Sequence, residues 1–95
     1  MTADRAQRLR PDALRWREVD REVIAVDLGS STYLSTNESG LVLWRRLAEG
    51  ATRRELAAEL QERFAIDASR AEIDVDNFLR ALAERDLLED VDDET

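Results

Sequence analysis

Between Tyr33 and Trp44 the chain reads Tyr-Leu-Ser-Thr-Asn-Glu-Ser-Gly-Leu-Val-Leu-Trp, a short β-prone run that passes into an apolar helical pattern with no room for a loop. So abrupt a junction pins a strand directly against a helix. Asn37 is the natural hinge, because its side-chain oxygen can accept from the free N–H groups of the first helical turn. Glu38 then favours the positive end of the helix dipole.

The segments before the junction read as further strands. Leu14 to Val19 mostly alternates apolar and charged residues, and a second run, Glu22 to Leu28, follows after only Asp20 and Arg21, the spacing of a β-hairpin. In the second run Ile24, Val26 and Leu28 share one face and Val23, Ala25 and Asp27 the other; the first set is expected to face the core. Gly29-Ser30-Ser31 supplies a turn, and Thr32 to Thr36 forms a third strand that ends at the Asn37 cap. Three antiparallel strands in a meander result.

The segments after the junction read as helices. Leu41, Trp44, Leu47 and Ala48 recur at helical spacing from Asn37 to about Glu49, and Gly50 supplies the stop. Thr52 with Glu55 forms a capping box, opening a second helix with Leu56, Leu60 and Phe64 on one side. After the connector at residues 65–68, Ser69 with Glu72 suggests another capping box. The third helix it opens buries Val75, Phe78, Leu79 and Leu82 and ends near Asp86. Leu87 and Leu88 are expected to fold back on the core, where Trp16, Trp44, Phe64 and Phe78 also belong.

The expected architecture is α+β, three antiparallel strands followed by three helices, related to winged helix-turn-helix folds. Residues 1–12, polar and carrying Pro11, read as a flexible arm, and residues 89–95 as an acidic disordered tail, leaving one domain at residues 13–88.

Composition narrows the function. The chain has 95 residues, 22 acidic against 14 basic, and a net charge of -8; every basic residue is arginine, and cysteine and histidine are absent. Those two absences remove most nucleophile, general-base and zinc constellations, so an enzyme is not expected, nor a cofactor. The acidic balance disfavours nucleic acid as a partner. The acidic clusters lack an EF-hand pattern and read as solvated surface. With a charged N-terminus and no long apolar stretch, a cytoplasmic protein without membrane contact is expected.

Two features admit a binding role. If consecutive strands pair in order, Thr32–Thr36 is a sheet edge, either an ordinary solvated edge or one that captures an extended peptide by β-augmentation. On the last helix Ile73, Asn77 and Arg80 lie off the buried stripe. That face is either solvated, with Asp76 and Arg80 paired at i,i+4, or the wall of a groove beside the third strand.

Spread over about Leu9 to Leu88 are Leu9-Arg10-Pro11, Trp16, Val19-Asp20, Val26-Asp27-Leu28, Tyr33-Leu34, Asn37-Glu38, Gly40, Trp44, Leu56-Ala57, Asp74-Val75, Phe78-Leu79 and Leu87. In this pattern the chain resembles the PqqD-like peptide-recognition family, the RiPP recognition elements. It departs from the family at Arg21, where glycine often follows the aspartate, and at Thr36, where leucine commonly precedes the asparagine.

The resemblance implies a protein that binds the leader segment of a ribosomally made precursor peptide as an added strand beside the third strand, against the last helix. A free-standing member of this kind implies lasso-peptide biosynthesis, with a separate leader peptidase (a cysteine protease) and a cyclase as partners. On that footing Thr32, Tyr33, Leu34 and Ser35 would give main-chain pairing, with the Tyr33 ring at the groove's edge. Val26, Leu28, Leu34, Ile73 and Phe78 would shape apolar pockets, and Asp74, Asn77 and Arg80 would read polar positions. The rivals are a PqqD-type carrier in pyrroloquinoline quinone biosynthesis and, less favoured, a winged-helix DNA binder.

Overall fold

The computed structural model describes residues 5–91. Strand β1 (Ala6–Leu9) is followed by β2 (Leu14–Val19), β3 (Glu22–Asp27) and β4 (Thr32–Thr36), then helix α1 (Glu38–Glu49), strand β5 (Ala51–Thr52), helices α2 (Arg53–Phe64) and α3 (Ala68–Glu84), and strand β6 (Leu88–Asp90). Strands β2-β3-β4 form the expected antiparallel meander, with β4 at its edge.

A second sheet, ordered β5-β1-β6, was not foreshadowed by local pattern. Its central strand lies in the segment expected to be a flexible arm. Residues 6–9 are held instead by partners remote in sequence, Ala6 opposite Thr52 and Leu9 opposite Leu88. Leu9 is buried in the core, and this burial anchors the segment despite its charged neighbours. Glu89 and Asp90, expected in the acidic tail, likewise belong to β6, where Glu89 accepts from the Arg8 Nε at 2.6 Å. The remainder of the expected arm and tail, residues 1–4 and 92–95, lies outside the described residues.

The β2–β3 turn takes positive φ at both Asp20 (51°) and Arg21 (67°), the left-handed pair of a type I′ turn. Such a turn matches the strand twist and keeps the register Val19 opposite Glu22. Arg21 adopts this conformation without the glycine that makes it easy.

The faces of β3 are the reverse of the expectation. Val23, Ala25 and Asp27 point to the core, whereas Ile24 and Leu28 are 38% and 46% exposed and Val26 is half-buried. Because the side-chain period is two, the choice of face is all-or-none. It is decided by Leu14 and Trp16 across the hairpin, which pair with Asp27 and Ala25, and by Leu34, which pairs with Ala25 and packs on the core.

Beneath that face lie the helices. Trp44 is fully buried and meets Trp16 and Phe78 edge-on, at centroid separations of 5.9 and 6.5 Å. Leu47, Leu56, Leu60, Val75 and Leu87 complete the centre. Asn37 caps α1 as expected, its Oδ1 accepting from the Gly40 N–H at 3.0 Å, and Thr52 with Glu55 forms the capping box of α2. Helix α3 starts two residues earlier than the sequence suggests. Asp67 caps it, accepting from the Arg70 N–H at 2.8 Å, so the helix is already under way at Ser69. Among the described residues no helix is long and apolar enough to cross a membrane.

At Gly40 the first turn of α1 meets the end of β4. A Cβ built there would stand 2.6 Å from the Thr36 Cβ, so the strand end and the helix can approach this closely only over a glycine. Gly40→Ala should lower stability by about 1 to 3 kcal/mol, the usual penalty of overpacking, read as the shift in a denaturant midpoint. Arg21→Gly should act in the opposite sense, by about 1 kcal/mol, since it relieves the left-handed residue. A lower melting temperature for that variant would show that Arg21 contributes more than its turn geometry.

Candidate functional site

Helix α3 runs alongside the free edge of β4 in the opposite sense. Asp74, Asn77 and Phe78, in its first half and middle, border a cleft with Ser35 and Thr36, while Arg85 at its far end donates to the Thr32 hydroxyl at 3.0 Å. Helix α3 therefore meets β4 at both of its ends, at a cleft beside Ser35 and Thr36 and at the Arg85–Thr32 hydrogen bond. Among the described residues nothing pairs with that margin of the strand, because β4 has a sheet neighbour only in β3.

Around the Thr36 end the groove opens into a cleft of about 500 Å³. Its floor is apolar, formed by Leu43 of α1, Leu60 of α2 and Phe78 of α3. Its rim is polar, formed by Asn37 and Ser39 on one side and by Arg70, Asp74 and Asn77 on the other. Arg70 and Asp74 pair at 3.2 Å, and Arg80 donates to the Asn77 Oδ1 at 3.1 Å. These exposed pairs are weak and exchange readily for partners on a guest.

The other end is closed by Arg85, which stands 3.8 Å from the Asp27 carboxylate. Asp27 is buried, and its Oδ1 accepts from the backbone N–H groups of Gly29 and Ser30 at 3.0 and 3.4 Å, shaping the β3–β4 turn. The same carboxylate thus holds the turn and lies beside the guanidinium at the groove's end.

The outer wall is braced by α2. Arg53 grips Asp76 with two hydrogen bonds, the second at 3.0 Å, and this hydrogen bonding, above the Coulombic attraction, holds the Asp76 carboxyl below its ordinary value. The i,i+4 neighbours Asp76 and Arg80 do not bond directly: Arg53 holds Asp76 and Arg80 donates to Asn77, leaving Arg80 only a Coulombic pull on the Asp76 carboxyl.

Of the residues singled out from the sequence, Ser35, Asp74, Asn77 and Phe78 line the cleft, and Thr32 lies at the groove's closed end. Leu34 points inward and packs on the core; Tyr33 points outward and is 75% exposed. Ile73 is 56% exposed on α3, one residue from Asp74, and Arg80 reaches the site through Asn77. Val26 and Leu28 do not join the groove. Val26 pairs with Tyr33 on the opposite face of the sheet, and Leu28 lies by the β3–β4 turn, beside a separate cleft of about 680 Å³ with Arg10 and Leu87. Their displacement follows from the reversed faces of β3.

Sequence reasoning missed Ser39, Leu43, Leu60, Arg70 and Arg85. Arg70 stands four residues before Asp74 and was legible as its helical partner; Leu60 reads as part of an apolar helix stripe, and both it and Leu43, which the spacing does not single out, are core residues that also floor the cleft. Among the described residues no group of three histidine, cysteine or carboxylate side chains could hold a metal ion.

A family model described as coenzyme PQQ synthesis protein D (PqqD) matches residues 22–88. No curated protein matches the chain. Among solved structures it is similar to TbiB1 in complex with the TbiA(beta) leader peptide, with a TM-score of 0.79 and 31% identity over 90% of this chain and 99% of that one. It also shares its fold with lasso peptide synthetase B1 complexed with the leader peptide, at a TM-score of 0.75 and 23% identity over 92% of this chain and 99% of that one.

The brace at Asp76 has a measurable pH signature. A carboxyl whose folded value is depressed stabilises the fold above its unfolded value and loses that contribution as pH falls through the folded one. Asp76→Asn should therefore cost less than about 1 kcal/mol at neutral pH, this being a largely exposed pair, and the gap to the parent should close as pH falls below the ordinary carboxylate range. A gap that persists unchanged at pH 2 would mean that Asp76 acts by packing rather than by charge.

Proposed function

From the premise that this chain belongs to the PqqD family, we propose that it binds the leader segment of a ribosomally synthesised precursor peptide as a fourth strand on β4, with the guest's side chains lodged against α3. The observation that carries this reading is the unpaired margin of β4 facing an apolar-floored groove. A strand added there satisfies its backbone groups on β4, and alternate side chains fall toward Leu43, Leu60 and Phe78.

Main-chain pairing gives affinity without sequence, so register must come from side chains. Asp74, Asn77 and Arg80, with Ile73 beside them, are suited to this, and Arg85 at Thr32 bounds the strand at its far end. A disordered leader must be ordered on binding, and the net affinity expected is micromolar to nanomolar, about 8 to 12 kcal/mol.

The bound leader would be presented to separate enzymes of lasso-peptide biosynthesis, a leader peptidase of the cysteine-protease class and a cyclase. The leader-peptide complex of the 31% identical TbiB1, together with the fold shared with the leader-bound lasso peptide synthetase B1, supports this pathway over quinone-cofactor biosynthesis, for which the family model is described. The chemistry would reside in those enzymes, since a chain without histidine or cysteine lacks the usual bases and nucleophiles.

Titration of fluorescently labelled candidate leaders tests the assignment. A lasso-precursor leader should bind in the stated range, and a quinone-precursor peptide should bind at least about tenfold more weakly. Ile73→Asp should weaken leader binding by about tenfold or more while leaving the melting temperature within a few degrees, because the residue is exposed. Parental affinity in that variant would remove α3 from the site; preference for the quinone precursor would select the other pathway.

A further inference from the structure

Arg85 uses only one corner of its guanidinium. Its Nη1 donates to the Thr32 hydroxyl at 3.0 Å and stands 3.8 Å from the Asp27 carboxylate, while Nε and Nη2 meet no partner among the described residues. Those two groups form the forked edge that matches a carboxylate bidentately. Elsewhere in this chain Nε is put to use, since Arg8, Arg45, Arg63 and Arg70 each donate from it to a carboxylate. The carboxylates near Arg85 are otherwise engaged or stand apart from it. Asp27 Oδ1 already accepts from Gly29 and Ser30, Asp86 accepts from Arg10 at 2.9 Å, and the Glu84 side chain bonds no described residue.

The strand register sets this fork beside the open margin of the sheet. Leu14, Asp27 and Thr32 face one another across β2, β3 and β4, and Thr32 shares a face with Leu34, which packs on the core. Arg85 reaches this row from the end of α3. A guest strand on β4 adds a fourth member to the row, a residue whose Cβ stands about 5 Å from that of Thr32 on the same face. Its side chain therefore meets the guanidinium that Thr32 already holds. Space is open there, because Arg85 also lines the cleft of about 680 Å³ beside the β3–β4 turn.

We infer that Arg85 reads an acidic side chain of the leader, at the guest position that faces Thr32. The inference deepens the function proposed above and rests on it. The guest carboxylate would accept from Nε and Nη2 while the Thr32 hydroxyl and Asp27 hold Nη1, so the guanidinium is oriented before the guest arrives. A neutral guest residue would cover the fork and leave its donors without partners, at a cost in affinity. The period of two adds a spacing to the chemistry. Thr36, at the apolar-floored cleft, lies on the same face four residues from Thr32, so the acid is expected four residues from the guest side chain lodged against Leu43, Leu60 and Phe78.

The test uses the full chain and the lasso-precursor leader that binds it most tightly in the titration above. Each acidic residue of that leader is replaced in turn by its amide, and every peptide is titrated against the parent, Arg85→Gln and Arg85→Lys. One position should stand apart, its amide weakening binding about fivefold or more on the parent and less than about twofold on Arg85→Gln. Lysine keeps a charge beside Asp27 but lacks the fork, and should give an intermediate loss. Should Arg85→Gln melt well below the parent, the comparison of the parent with Arg85→Lys decides alone. A leader whose acids can all be replaced without loss, or an amide effect of equal size on the parent and both variants, overturns the inference while leaving strand addition intact. An equal fall in the affinity of every peptide on Arg85→Gln overturns it too, since Arg85 would then serve the guest's main chain. A parent that binds no leader sinks the proposed function and this inference together.

Discussion

Everything in this molecule that matters for binding depends on one steric constraint, the contact of Gly40 with Thr36. The chain leaves β4 and enters α1 with a single capping residue between them, and the close approach leaves no space for a side chain on the helix. A looser connection would let the following segment return along β4 as another strand. Because the chain turns at once into a helix that dives under the sheet, β4 remains an edge, and α3 comes to stand beside it rather than upon it. The open strand margin is thus a consequence of how tightly the junction is made.

The groove that results divides its labour between backbone and side chains. A strand margin offers regularly spaced donors and acceptors to any extended chain, and would by itself invite aggregation. Here the margin is only five residues long and is bounded by Arg85 at Thr32 and by the Asn37 cap beyond Thr36. A short, bounded edge limits indiscriminate pairing. On the proposed reading, discrimination would fall to an apolar floor that belongs to the core and to polar side chains on α3, which the Arg53 brace holds to α2. Floor and core being the same residues, the site cannot be deepened without unfolding the domain, which suits it to hold a strand rather than to enclose a small molecule.

Much of this was legible in the amino-acid order where interactions are local. The Asn37 cap, the capping box at Thr52, the hairpin at Asp20-Arg21 and the stripe through Val75 and Leu82 all announce themselves within a few residues. What was not legible depends on distant partners. The strand at Ala6–Leu9 has no strand-like pattern and exists because Leu88 and Thr52 lie on either side of it. The inward face of β3 was misjudged for a different reason. Period-two reasoning assigns the more apolar face to the core, and on this strand the more apolar face is the one turned to water. Because that face of β3 turns outward, Val26 and Leu28 lie away from the groove.

The central claim, that β4 is completed by a guest strand, is tested most directly by amide hydrogen exchange of the protein with and without saturating leader peptide. Slowed exchange confined chiefly to alternate amides of Thr32–Thr36, with lesser protection along the groove face of α3, is the expected result. Unchanged exchange on β4 with protection elsewhere, for instance around the cleft of Arg10 and Leu87, would contradict it.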